Sequence, residues 1–409
     1  MMAKRSHGDG GIDQRGENVY RLRYRVDGRR FAKTFHGTLT QARKELRALI
    51  RSGDTGEHVA PDKITVWNWC EQWIKAGAPG RKRKRVGQKT LERYQQLLRT
   101  HVKPEFENRP LQQLKATEID EMYEALGPRE NGEPGKISPM TLHHLHVVFN
   151  SCLSTAVRKG LLATSPMARI EKAPGAPEGD HGLALDEDDL KKLVAGFKAS
   201  TALYPIVALT AATGMRRNEV LALEWDDFDP ERKTIKVTRA LEQTKKFGLR
   251  VKAPKTWRGT RTVALDDATV ALLVRHKETH QRLLAGIPDG TEVDLGLIRL
   301  PAGALMFPNP PRPGEDVSFT KHRDPHTFTK QFGRRAKQIG FADFWFHHLR
   351  GTHATLLLDK NVPVHTVAER IGDDPAVLLK NYAKRKRQQT ANDSVAGIIG
   401  QLAAGFLDT

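Results

Sequence analysis

The sequence predicts a multidomain protein: a small β-rich N-terminal module (a three-stranded sheet plus a helix), an all-α block, and a larger α+β region that is mainly helical. Three observations predict it. Near residue 40 the hydrophobic period lengthens from two residues to about 3.6, the change from strand to helix. A Pro/Gly-rich stretch at 173–179 (APGAPEG) breaks the helical pattern. Short strand-like runs return only beyond that break. At roughly 100 to 200 residues per domain, 409 residues allow two to four domains.

In the first module, residues 19–26 (VYRLRYRV) alternate bulky residues with Arg21, Arg23 and Arg25, so one face is cationic and the other buried. Asp27-Gly28 is a strong hairpin turn signal, and residues 29–35, with Arg29 and Arg30, supply the return strand. Thr40 is a suitable N-cap for a helix through Ala42, Leu46, Leu49 and Ile50, stopping near Gly53. Such an arginine-lined sheet is suited to set strands into a DNA major groove, the plain alternative being a sheet whose solvent face is basic.

A linker at 52–63 leads into the helical block. Val66, Trp67, Cys70, Trp73 and Ile74 form one apolar stripe; Leu91, Tyr94, Leu97 and Leu98 form another. Thr117 is read as the cap of a helix through Ile119, Met122 and Leu126, and residues 140–162 form the last helix, ending near Gly160. The run Arg81, Lys82, Arg83, Lys84, Arg85 falls between the first two helices, where phosphate contact is preferred over an ordinary solvated loop. His143, His144 and His146 lack cysteine or carboxylate partners nearby, so they are read as helix-surface histidines and no metal is expected.

Charge is the loudest global signal. Lys and Arg total 67 against 48 Asp and Glu, giving +19 and a pI near 9.9, a field that attracts a polyanion. No apolar run approaches the ~20 residues that span a bilayer, and no basic amphipathic helix has an aromatic face, so no membrane partner is expected. The basic N-terminus lacks the apolar stretch of a secretion signal. Two cysteines, Cys70 and Cys152, make no disulfide scaffold and fit a reducing cytoplasm.

The last region opens with a helix at Asp186 and carries short strands at 234–240, 249–253 and 261–265. Four of its segments stand in a telling order: residues 212–223 (ATGMRRNEVLAL), containing Arg216 and Glu219; Pro254-Lys255-Thr256, followed by Arg261-Thr262-Val263; residues 347–355 (HHLRGTHAT), containing His347 and Arg350; and Glu369-Arg370-Ile371-Gly372, with Tyr382 ten residues after Gly372.

Together these segments resemble the tyrosine recombinases of the phage integrase family. That signature has an Arg after a Thr-Gly-hydrophobic step, a β-hairpin Lys, a His-x-x-Arg, a Gly-His near a helix start, and a Tyr about ten residues later. Residues 305–310 (LMFPNP) also resemble the family. The likeness covers roughly residues 185–390. The upstream helical block resembles the family's core-binding domain and the N-terminal module its arm-type DNA-binding domain. The implied layout is an arm-type domain over 1–60, a core-binding domain over 64–173 and a catalytic domain with a C-terminal tail over 180–409.

The resemblance implies site-specific recombination through a 3′-phosphotyrosine intermediate, integrating or excising a phage genome or mobile element at attachment sites. Arg216 and Arg350 would clamp the non-bridging phosphoryl oxygens, because guanidinium is a planar, permanently charged, bidentate donor. Lys255 would protonate the leaving 5′ oxygen. His347, three residues before Arg350, would assist proton transfer. Tyr382 would be the nucleophile. Glu219 would support Arg216 from behind. The covalent intermediate conserves the bond energy, so no metal, ATP or other cofactor is expected. Arg217, His348 and His353 are read as packing or DNA-backbone residues.

The pattern is broken where the family places His or Trp after the Gly: here stands Asp373. Its charge would repel a phosphate unless it is protonated or turned toward Arg370 or a backbone amide. Gly351 replaces the His common after the second Arg, a milder change. Beyond Tyr382 come the basic run 384–387 and an apolar stripe at 395–407, expected either to dock on a neighbouring subunit or to fold back on its own domain. The implied partners are double-stranded DNA with core and arm sites, a homotetramer on that DNA, a DNA-bending host factor and an excisionase. The implied place is the bacterial host's cytoplasm, on the nucleoid. The rival readings are a type IB topoisomerase and a DNA-binding protein that has lost catalysis.

Overall fold

The computed structural model describes residues 10–26, 28–54, 59, 62–80, 85–128, 133–176, 183–253, 259–312 and 314–386, with backbone alone for residues 54 and 382–386. Arg81 to Lys84, Lys255 and the tail 387–409 therefore lie outside the described residues. The chain separates into two compact units, Met1–Gly179 and Asp180–Thr409.

The first unit begins with β1 (Gly11–Gly16), β2 (Val19–Val26) and β3 (Arg29–His36), an antiparallel sheet in that order, followed by α1 (Leu39–Asp54). The two-residue alternation of β2 decides its faces: Tyr20, Leu22 and Tyr24 are buried with Ala42 and Leu46 of α1, while Arg21, Arg23 and Arg25 are exposed. Register sets Arg21 opposite Thr34, Arg23 opposite Ala32 and Arg25 opposite Arg30. Arg29, opposite Val26, belongs by alternation to the other face, so it does not join the cationic row. Asp27 of the turn lies outside the described residues; Gly28 takes φ +76°. The cap of α1 is Thr38, not Thr40. Thr38 Oγ1 accepts from the Gln41 amide (3.3 Å) and Gln41 Oε1 from the Thr38 amide (2.9 Å), a reciprocal capping box.

The rest of this unit is helical: α2 (Val66–Lys75), α3 (Gln88–Leu97), a π-helical turn at Leu98–Val102 running into α4 (Lys103–Phe106), α5 (Ala116–Leu126) and α6 (Pro139–Arg158). The expected stripes face one core, where Trp69, Cys70, Trp73, Leu98, Phe149 and Leu153 are buried together. Cys70 and Cys152 are free thiols with sulfurs 3.8 Å apart. α5 starts at Ala116, ahead of the expected Thr117 cap, because Glu118 accepts from the Lys115 amide at 2.9 Å. His143 bonds the Pro174 carbonyl (2.8 Å) and His146 the Tyr123 hydroxyl (3.3 Å). Arg85 is exposed.

The second unit runs α7 (Glu187–Gly196), capped by Asp186 as expected, α8 (Tyr204–Thr213), α9 (Arg217–Val220), β4 (Phe228–Asp229), β5 (Thr234–Val237), β6 (Ala240–Thr244), β7 (Gly248–Lys252) and β8 (Arg261–Ala264). Then come α10 (Asp267–Ala285), α11 (Pro325–Gln338), α12 (His348–Asp359), α13 (Val364–Ile371) and α14 (Pro375–Lys386). β4, β5 and β8 form one antiparallel sheet and β6–β7 a separate hairpin. Residues 234–240 are thus not one strand: Val237 ends the first sheet's strand and Ala240 opens the hairpin. α8 lies in the core, where Ile206, Val207 and Leu209 meet Phe328, Phe332 and Leu349. Each such side chain contributes roughly 1.5–3 kcal/mol on burial. Ala354, Leu358, Val367, Ile371 and Leu378 tie α12, α13 and α14 together. No helix among the described residues is long and apolar enough to cross a membrane.

Candidate active site

Three chain turns of the second unit meet at one place: the α8–α9 turn, the start of α12 and the α13–α14 turn. Gly214 caps α8 in the left-handed region (φ +64°), and a Cβ there would lie 2.8 Å from His353 Cδ2 and 3.0 Å from Ile371 Cγ2. Conformation and space both demand glycine. The turn sinks Met215 into the core and brings out Arg216, extended at φ −72°, ψ 145°, just ahead of α9. Gly372 ends α13 in the same left-handed way (φ +69°) and presents its carbonyl to Arg216 Nη2 at 2.8 Å.

Arg350, in the first turn of α12, is 5% exposed. Its Nη1 donates to the Gly214 carbonyl (3.0 Å) and the Ile371 carbonyl (2.6 Å), and its Nη2 to Asp373 Oδ2 (3.0 Å). One guanidinium thus ties the three turns together. Burial, then the Arg216 charge, push its pKa down to about 10, against the pull of Asp373 and Glu219; it stays protonated at neutral pH. Asp373 Oδ1 lies 3.8 Å from Arg216 Nη2 and accepts from the Asp374 amide at 3.1 Å.

Glu219 is buried behind Arg216. Its Oε1 accepts from Arg216 Nη1 (3.0 Å), and its Oε2 from the Arg216 amide (2.9 Å) and Arg261 Nη2 (2.9 Å). Burial opposes its ionisation, but the Arg261 bond and charge together with Arg216 outweigh it, holding the carboxyl below its ordinary pKa. A deeper layer holds that layer in place. Arg261 Nε donates to the Arg370 carbonyl (2.8 Å), and Arg370 donates to His353 Nε2 (3.1 Å), the Ala264 carbonyl (3.1 Å) and the Ala212 carbonyl (3.0 Å). Since His353 Nε2 accepts, its Nδ1 is the donor to the Ala211 carbonyl at 2.9 Å. Burial, with Arg370 and Arg350 nearby, pushes its pKa to about 4, so it is a neutral strut.

His347 stands at the start of α12, on the solvent-open side of this cluster. Desolvation by the surrounding protein, then the charges of Arg350, His348, Arg216 and Arg217, hold its pKa below the ordinary histidine value, which favours the neutral, proton-accepting ring. Arg217 turns away, donating to Thr329 Oγ1 (2.6 Å), and His348 Nδ1 accepts from the Trp345 amide (3.1 Å); both are packing contacts.

The structure thus brings Arg216, Glu219, His347, Arg350 and Asp373 into one cluster. Lys255 lies outside the described residues, and Tyr382 is described by its backbone, on α14 nine residues beyond Asp373. Asp373 finds the expected backbone amide, but its cation is Arg350 and not Arg370, which is fully used behind the site. Arg261 and Arg370 stand in the motif segments read from sequence, but the support that Arg261 gives Glu219, and Arg370 gives Arg261, has no counterpart in that reading. The available signal was an arginine opening a short strand and another in the last turn of an apolar helix, positions whose burial requires an anion or carbonyls to bond.

Two guanidiniums thus converge on one carboxylate, close to the histidine that starts α12. Residues 184–389 match the phage integrase family, and residues 68–127 match its N-terminal SAM-like domain. The chain belongs to the phage integrase family. It is a tyrosine-type site-specific recombinase, an enzyme of DNA integration or excision. An integrase of Streptomyces ambofaciens is 26% identical over 411 residues, covering 95% of each chain. Among solved structures, the Tn1549 transposon integrase bound to transposon right-end DNA is similar at TM-score 0.63 and 17% identity, over 83% of this chain and all of that one. A lambda integrase tetramer bound to a Holliday junction is similar at TM-score 0.51 and 16% identity, over 89% of this chain and 95% of that one.

Proposed function

We propose that Tyr382 attacks the scissile phosphodiester while Arg216 and Arg350 hold its non-bridging oxygens. The Tyr382 Oη–phosphorus bond forms as the bond to the 5′ oxygen breaks. Neutral His347 takes up the tyrosine proton and Lys255 delivers one to the leaving 5′ oxygen. A 5′ hydroxyl from the partner strand then reverses the step and restores one phosphodiester for each one broken. No nucleotide hydrolysis is needed, and neither a metal nor another cofactor enters the scheme. Glu219 positions Arg216; it does not touch DNA. The observation that carries this reading is the locking of Arg350 and Arg216 by the carbonyls of Gly214, Ile371 and Gly372, which fixes both forks before substrate arrives.

The helical block and the second unit each contribute to binding a core site. The N-terminal sheet, with Arg21, Arg23, Arg25 and Arg30 on one face, holds arm sites, and the basic run 81–85 adds phosphate contacts. The working species is a homotetramer on two duplexes, as the similar lambda integrase forms on a Holliday junction. It acts in the bacterial cytoplasm on nucleoid DNA, with a DNA-bending host factor and an excisionase as accessory partners. The test is a nicked suicide substrate carrying candidate attachment sites, incubated in EDTA with wild type and with Tyr382→Phe. A covalent protein–DNA adduct from wild type alone supports the reading. Failure to form adduct on core-site DNA that the protein binds favours a DNA-binding protein without catalysis. Relaxation of supercoils without strand exchange between two sites favours a topoisomerase.

A further inference from the structure

We infer that Asp373 is an internal stand-in for the scissile phosphate: a carboxylate that occupies the seat between Arg216 and Arg350 while DNA is absent, and so sets how strongly that seat takes a phosphodiester. The inference rests on the reading of these two arginines as phosphate ligands.

The geometry is that of an anion bound across two forks. Oδ2 lies 3.0 Å from Arg350 Nη2 and Oδ1 3.8 Å from Arg216 Nη2, one oxygen to each guanidinium, as two non-bridging phosphoryl oxygens would sit. Arg350 has its Nη1 committed inward to two carbonyls, so Nη2 is the nitrogen turned to the mouth of the site, and Asp373 holds it. Both outer groups are reachable from solvent, with side chains 38% exposed for Arg216 and 31% for Asp373, against 6% for Arg350.

Charge points the same way. The layer behind the seat leaves positive charge over, since the single carboxylate of Glu219 serves both Arg216 and Arg261, and that excess also favours an anion in the seat. Arg350 has no other carboxylate within ion-pair distance among the described residues. A nearly buried guanidinium without a counter-ion is costly, and Asp373 supplies that counter-ion in the free enzyme. An incoming phosphodiester brings a second anion to the same two nitrogens, and both cannot keep them. The backbone of Asp373 is pinned, its amide donating to the Ala368 carbonyl at 2.9 Å beyond the left-handed Gly372. Vacating the seat therefore requires only rotation of a partly exposed side chain. DNA binding must pay for that displacement.

The test compares full-length Tyr382→Phe with Tyr382→Phe/Asp373→Asn, the asparagine keeping an acceptor for Arg350 but losing the charge. Affinity is measured for a core-site duplex and for the same duplex with a neutral methylphosphonate at the scissile position. Tighter binding of the normal duplex by the asparagine variant, on the order of tenfold, with little or no gain on the methylphosphonate duplex, is the expected result. Asp373→Ala should shift affinity in the same direction, since charge and not shape is what competes. Equal or weaker binding by the asparagine variant, or an equal gain on both duplexes, overturns the inference and leaves Asp373 as a positioning partner of Arg350. Thermal melting of each variant confirms that folded proteins are compared. Because both proteins carry phenylalanine at 382, the result is independent of whether Tyr382 is the nucleophile.

Discussion

The molecule uses arginine in two opposite ways. On the N-terminal sheet, Arg21, Arg23, Arg25 and Arg30 stand exposed in register; among them Arg23 has a carboxylate neighbour, Asp13 at 2.8 Å, and Arg25 faces Arg30 directly across the strands. Like charges opposed in this way cost stability, which a polyanion laid over the face would recover. In the second unit, Arg216, Arg261, Arg350 and Arg370 are bonded to named carbonyls and carboxylates, and through these bonds the forks of Arg216 and Arg350 are fixed before any ligand binds. The first arrangement suits capture, where many weak contacts add and geometry is forgiving. The second suits chemistry, where a fixed donor at the transition state is worth far more than a mobile one.

The largest effect should come from disturbing a locked fork. Arg350→Lys keeps the charge but loses the planar donor set, and adduct formation should fall on the order of 10²–10³-fold. A near-normal rate in single-turnover assays would show that charge alone suffices. Next, Glu219→Gln removes the shared counter-ion of Arg216 and Arg261. Breaking a buried pair of this kind costs about 3 kcal/mol, read as a lower urea midpoint, and adduct formation should slow with it.

The exposed row should behave in the opposite way. Replacing Arg21, Arg23 and Arg25 together by Gln should leave the urea midpoint nearly unchanged, or raise it slightly by relieving the Arg25–Arg30 opposition. The same change should flatten the salt dependence of arm-DNA binding, lowering the slope of log K against log[salt] by about 3. A large loss of stability with an unchanged slope would erase the distinction between the two arrangements.

A smaller effect follows from buried histidines. Burial pushes His353 and His276 to about 4 and His280 to about 3. His280 accepts from Trp225 Nε1 at 3.2 Å, and His276 bonds the Met306 carbonyl at 2.8 Å. Their unfolded pKa is near 6.5, so between about 4 and 6.5 the unfolded chain binds more protons and stability rises with pH. The stability is fully present above about 6.5 and is lost on acidification toward 4. The melting temperature should be lower at pH 5 than at pH 7, by on the order of 5 °C. Replacing His280 by Gln should shrink that difference.

Much of the site was legible because its signal is local. Arg216 follows a Thr-Gly turn within three residues, and His347 and Arg350 share one helical turn. The β2 alternation likewise declared its buried and exposed faces. What stayed hidden depends on long-range closure. Arg261 bonds Arg370 across 109 positions, and Arg370 bonds Ala212 across 158, so no local window shows that these residues support Glu219. Sequence proximity pointed Asp373 toward Arg370, but the left-handed Gly372 reverses the chain and presents the carboxylate to Arg350 on α12. The strand read at 234–240 failed because the alternation continues through a change of sheet. Thr40 displaced Thr38 as the expected cap because both are capping residues; Gln41, three positions after Thr38, was the deciding feature.

The most direct test of the central claim is to locate the covalent bond. Adduct trapped on a nicked substrate would be digested with trypsin and nuclease and examined by mass spectrometry. The account predicts a phosphonucleotide on the peptide from Asn381 to Lys384, carried by Tyr382. A phosphonucleotide on any other residue would contradict it.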